Sequence, residues 1–139
     1  MIRVFLADSQ PYTRSALRLM LQDLNMLVVG EAVNWTAVLQ EANLTQPDMI
    51  VVDWELIPTE SSLLALRATC PAAVVIILIS HLDARQQAAL SAGADSFISK
   101  DEMPDRVAER LQAAAAAIQV YNPRRITLPG APAGTQVGG

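Results

Sequence analysis

The chain has 139 residues, 52% hydrophobic and 17% charged, which argues for one folded domain and against a disordered or low-complexity segment. Ten basic against 14 acidic residues leave a net charge of −4, so the chain lacks the basic footprint with which proteins neutralise nucleic-acid phosphates. The longest apolar run, residues 72–79, is far short of a bilayer span, Asp8 interrupts any signal-peptide core, and the lone Cys70 excludes an internal disulfide or a multi-cysteine zinc site. Together these features predict no membrane partner, no DNA binding by this chain and a reducing, cytoplasmic location.

The first apolar run, residues 3–7, predicts a strand, with Asp8 and Ser9 at its end. Leu17, Met20, Leu21 and Leu24 then fall at i, i+3, i+4 and i+7, the stripe of a one-sided helix. A strand over 27–31 precedes the same spacing in Trp35, Val38, Leu39 and Ala42. The run 49–52 ends in Asp53, and a helix over 61–69 follows, stopped by Pro71. The run 74–79 leads to Ser80 and His81, and a helix over 84–92 ends at Gly93, which reads as a left-handed cap. A strand over 96–99 ends in Lys100, and Pro104 opens a last helix reaching residue 120. Its buried stripe is Val107, Leu111, Ala114, Ala115 and Ile118, and the alanine run 113–117 favours close packing on the sheet or across a dimer. Residues 122–139 hold three of the eight prolines and four of the six glycines and read as a linker or disordered tail, so the domain is expected to span 1–121.

Short β-branched runs alternating with helical stretches predict an α/β fold, a parallel sheet with crossover helices. The nearly unbroken apolar runs mark strands buried on both faces. In such a sheet ligands bind beyond the carboxyl ends of the strands, where this chain places Asp8, Asp53, Ser80 and Lys100. Nine of the ten basic residues are arginine and Lys100 is the only lysine, so that position demands a reason. Two carboxylates suit a nucleophile and the ligation of a hard cation, while a hydroxyl and a compact ammonium suit phosphoryl oxygens. A lysine's point charge on a flexible stem can follow a moving phosphoryl group, whereas the planar arginine fork needs a fixed partner. Taken singly, each residue has a plainer reading: an aspartate after a strand caps the next helix, and a lysine sits in a solvated loop. Their conjunction at successive strand ends is what points to phosphoryl transfer. The turn over 8–13 lacks glycine and opens with an acid, which disfavours a flavodoxin-like binder that cradles a ready-made phosphate.

Four segments resemble the receiver domain of bacterial two-component response regulators. IRVFLADSQPYTRSALRLML is similar to that family's first strand, acidic loop and first helix, PDMIVVD to the strand delivering the phosphoacceptor, VVIILIS to the strand ending in the hydroxyl residue, and SAGADSFISKD to the segment carrying the lysine. The style of the last resembles the subfamily with helix-turn-helix output domains. The resemblance covers about residues 2–120 and implies a flavodoxin-like, three-layer α-β-α fold around a five-stranded parallel sheet in order 2-1-3-4-5. It implies that Asp53 accepts a phosphoryl group from a sensor histidine kinase, that Asp8, Asp53 and the backbone carbonyl of Glu55 hold magnesium, and that Ser80 and Lys100 bind the phosphoryl oxygens. Phe97, three residues before the lysine, takes the place of the switch aromatic. Switching would alter the face made by the predicted helix at 84–92, the fifth strand and the last helix, a surface for partners or a homodimer. The chain would phosphorylate and dephosphorylate itself and act on no external metabolite.

Three departures qualify these expectations. The family's acidic pair is here Asp8 followed by Ser9, which removes one carboxylate from a cation that prefers octahedral oxygen coordination and predicts weakened magnesium binding. A degenerate receiver acting as a phosphorylation-independent interaction module is the alternative this loss raises. Pro58 lies five residues after Asp53 rather than the family's four, so the intervening loop differs and the Glu55 carboxylate becomes a candidate substitute for the missing acid. Phe97 stands where tyrosine is commoner and is expected to be plain core packing, unable to form a hydroxyl hydrogen bond.

Overall fold

A computed structural model describes residues 1–80 and 93–121. The elements alternate as the sequence pattern requires: β1 (Arg3–Ala7), α1 (Pro11–Asp23), β2 (Leu27–Ala32), α2 (Trp35–Thr45), β3 (Met49–Asp53), a 3-10 turn (Trp54–Leu56), α3 (Glu60–Thr69), β4 (Val74–Ile79), β5 (Ser96–Ser99) and α4 (Pro104–Tyr121). All five strands pair in parallel, in the order β2-β1-β3-β4-β5. The helix expected over 84–92, His81 and the tail from 122 lie outside the described residues. Among those described, no helix is long and apolar enough to cross a membrane.

Strand alternation divides the core into two layers. Phe5, Ala7, Ile50, Val52, Val75, Ile77 and Ile79 face Val38 and Ala42 of α2 and Leu63 and Leu66 of α3. Val4, Leu6, Met49, Val51, Ile76, Leu78 and Ile98 face Leu17 and Leu21 of α1 and Val107, Leu111 and Ile118 of α4. Every residue of β3 is buried, which explains why that central strand reads as an unbroken apolar run ending in an acid. β2, at the sheet edge, is only partly covered. The alanine run divides as a helix on a sheet must, with Ala114 and Ala115 against the core and Ala113, Ala116 and Ala117 exposed.

Gly30 is required by a close approach. The β1–β2 register shifts between Val4 and Phe5, and a Cβ on Gly30 would lie 2.8 Å from Phe5 Cε2. Gly93, the expected left-handed cap, has φ +102°.

Helix α1 is tied to β2 by Glu31, which accepts from Arg18 Nε at 2.6 Å and Nη2 at 3.0 Å and from Arg14 Nε at 3.3 Å. The Arg18 hydrogen bond, against the cost of burial and with both guanidinium charges helping, holds the Glu31 carboxyl below its usual range. A lowered folded-state pKa stabilises above the unfolded value, and that stabilisation is lost as pH falls through the folded value. Glu31→Gln is therefore expected to melt at a lower temperature than wild type at pH 7, with the difference closing as the pH drops below the ordinary carboxylate range. Thermal unfolding across an acidic pH series measures this.

Candidate functional site

The parallel register brings the ends of β1, β3, β4 and β5 to one edge. Asp53 is the last residue of β3 and still pairs with Leu78, while Asp8, Ser80 and Lys100 each lie one residue beyond their strands. The Asp8 amide donates to Ala32 O at 3.1 Å and the Lys100 amide to Ile79 O at 2.8 Å, so the backbone holds both residues at the strand ends.

Asp8 is fully buried and Asp53 is 3% exposed. Two buried carboxylates require a counter-charge, and the only lysine supplies it. Lys100 Nζ lies 2.7 Å from Asp8 Oδ2 and donates to Asp53 Oδ2 at 3.0 Å, bridging the two acids. Burial disfavours its ammonium, but the two carboxylates more than offset this and raise its pKa. Gln10 N donates to Asp8 Oδ1 at 2.8 Å and Glu55 N to Asp53 Oδ1 at 3.1 Å, while Arg14 Nη1 grips Asp8 O at 2.7 Å.

Asp8 Oδ2 is completely buried, and among the described residues no donor besides the Lys100 ammonium reaches it. An oxygen so placed, beside a second carboxylate and loop carbonyls, fits a hard divalent cation. Yet among the described residues no cluster of three or more acid, histidine or cysteine side chains gathers, so the donor set is short of carboxylates. Ser9 is exposed, and so is Glu55, whose amide donates to Asp53.

Ser80 is half-buried at the end of β4. Phe97 departs from the expectation of a buried phenyl. It is only partly buried, packs against the α2–α3 side of the core, and carries the Arg110 guanidinium 5.6 Å from its ring centroid. β5 is an edge strand, so Arg110, from a helix on the opposite face, reaches around it.

Sequence reasoning placed Asp8, Asp53, Ser80 and Lys100 at the strand ends, as the structure has them, but missed the support beneath Lys100. Ser99 is 2% exposed, its Oγ accepts from Asp101 N at 3.2 Å, and its carbonyl accepts from Glu102 N at 3.1 Å, closing a turn around Lys100. The Glu102 carboxylate accepts from Ser99 N at 3.2 Å and from Arg110 Nε at 2.9 and 3.0 Å. Burial works against that carboxylate, but Arg110 and the Ser99 amide hold its pKa below the usual range. The available signal was an acid and a base at 102 and 110, a spacing that means nothing until the chain direction between them is known.

The family model "response regulator receiver domain" matches residues 4–112. The nitrate/nitrite response regulator protein NarP of Escherichia coli is 30% identical over 126 residues, which is 88% of this chain and 59% of that protein, so the chain spans well under two thirds of its relative's length. A LuxR-family two-component response regulator from Aurantimonas superposes with a TM-score of 0.75 at 26% identity, covering 84% of this chain and 86% of that one. The receiver domain of sensor histidine kinase PA1611 from Pseudomonas aeruginosa, solved with magnesium coordinated in its active site cleft, shares the fold at a TM-score of 0.68 and 19% identity, over 81% of this chain and 95% of that one.

Proposed function

The chain belongs to the response regulator receiver domain family, and from that premise we propose that it accepts a phosphoryl group on Asp53 from a sensor histidine kinase. The observation that carries this reading is the Lys100 ammonium held between Asp8 and Asp53 at the carboxyl edge of the sheet. An Asp53 carboxylate oxygen attacks the phosphorus of a phosphohistidine, the new P–O bond forms as the P–N bond breaks, and the imidazole leaves with the bonding pair. Lys100 already touches Asp53 Oδ2 and can turn to a phosphoryl oxygen with little travel, while Ser80 offers a hydroxyl to another. Asp8, Asp53 and the Glu55 carbonyl would hold magnesium, which when bound would supply charge neutralisation for the incoming group.

The domain catalyses its own phosphorylation and hydrolysis in the cytoplasm and transforms no metabolite. Phe97 and the surface of β5 and α4 form the face that changes, for a protein partner or a second copy, and this chain does not itself contact nucleic acid. Incubation with acetyl phosphate and magnesium, followed by mass analysis of peptides, tests the reading: one phosphoryl group on the peptide holding Asp53 is the expected result. An unmodified protein would leave the chain a constitutive interaction module.

Ser9→Asp restores the second acid beside Asp8 and is expected to tighten magnesium binding about tenfold, since an added anionic oxygen ligand is worth on the order of 1–2 kcal/mol. Titration calorimetry on both proteins reads this directly. Equal affinities would show that Ser9 costs the site nothing.

A further inference from the structure

Lys100 can serve two carboxylates and a phosphoryl group only if its main chain is held while its side chain turns. The turn from Ser99 to Glu102 has the required restraint. Lys100 N is bonded to Ile79 O, the Glu102 carboxylate accepts the Ser99 amide at 3.2 Å, and that carboxylate is gripped through both oxygens by Arg110 Nε at 2.9 and 3.0 Å. The Glu102 side chain is 14% exposed and that of Arg110 41%, so the pair sits at the rim, where an ion pair adds little to stability and its value lies in geometry. Arg110 is itself backed by the Phe97 ring, a contact that a flat guanidinium makes better than an ammonium.

From these contacts we infer that Glu102 and Arg110 are positioning residues for Lys100: they fix the turn that presents its ammonium to Asp8 and Asp53, and so set the rate at which Asp53 is phosphorylated. The rate component of this inference rests on the phosphoacceptor reading above. The geometric component does not.

Because Lys100 is the only lysine, biosynthetic [13C]lysine labelling of the full chain gives one side-chain Cε signal that reports its environment alone. In Glu102→Gln and Arg110→Met, the latter keeping an apolar stem over Phe97, that signal is expected to move toward the position of a solvated lysine. Adduct formation from acetyl phosphate is expected to slow about tenfold, the scale that loss of catalytic-group positioning produces. A purely structural role would lower the melting temperature and leave both readouts in place. The inference is overturned if the Lys100 signal stays at its wild-type position in both variants, or if it moves while the phosphorylation rate stays within about twofold of wild type. If wild type itself forms no adduct, the phosphoacceptor reading fails, and the geometric inference is decided by the Lys100 signal alone.

Discussion

Asp53→Asn is expected to abolish the phosphoryl adduct while leaving the protein folded. Acceptance needs a carboxylate nucleophile, and an amide oxygen carries neither its charge nor its capacity to form an acyl phosphate. The structural cost is small for a reason visible at the site. Among the described residues the Lys100 ammonium bridges two acids that are both almost completely buried, so two carboxylates share one cation in poorly solvated surroundings. Removing one acid leaves Asp8 and Lys100 as a matched pair and relieves the repulsion between carboxylates, so stability should stay within about 1 kcal/mol of wild type. Intact mass after incubation with acetyl phosphate and magnesium, set beside urea unfolding, separates the two statements. An adduct forming on the variant at the wild-type rate would move the acceptor to another residue, and unfolding of the variant would mean that Asp53 is a structural group.

The convergence of the candidate residues was readable from sequence because a parallel sheet turns linear order into spatial order. Each strand runs in the same direction, so the residue following each apolar run must arrive at the same edge, and Asp8, Asp53, Ser80 and Lys100 do. Strand limits were equally accessible for β1, β4 and β5, whose apolar runs end sharply, whereas β2 continues one residue past its expected end to Ala32 because β1 pairs with it there. What periodicity could not reach are contacts that depend on how one layer turns around another. The reach of Arg110 around the β5 edge to Phe97 and Glu102 needs the twist of the sheet and the azimuth of α4, neither of which is written in a hydrophobic pattern. The same holds for Gly30: only the register shift against Phe5 shows why a side chain there would collide.

Lys100→Met tests the opposite imbalance. The methionine keeps most of the apolar stem and deletes the charge, leaving Asp8 and Asp53 buried together without the ammonium that bridges them, and among the described residues no other donor reaches Asp8 Oδ2. Breaking a buried ionic cluster from this side is the costly direction, expected here at about 3 kcal/mol at pH 7 in the presence of a chelator. Magnesium, binding only the folded state, should restore part of that loss in proportion to its saturation, and by more than it stabilises wild type, because it no longer competes with an ammonium. The alkaline limb provides an independent check. Burial opposes the Lys100 charge but the two carboxylates overcome it, so its folded-state pKa is raised above the unfolded value. Its stabilisation is complete below the unfolded lysine pKa of about 10.4 and is lost as pH rises through the folded value. Wild type should therefore lose stability in strongly alkaline solution along a limb that the variant lacks, so the two unfolding curves converge there. Curves that remain parallel from neutral to alkaline pH would show that the ammonium does not hold these carboxylates together.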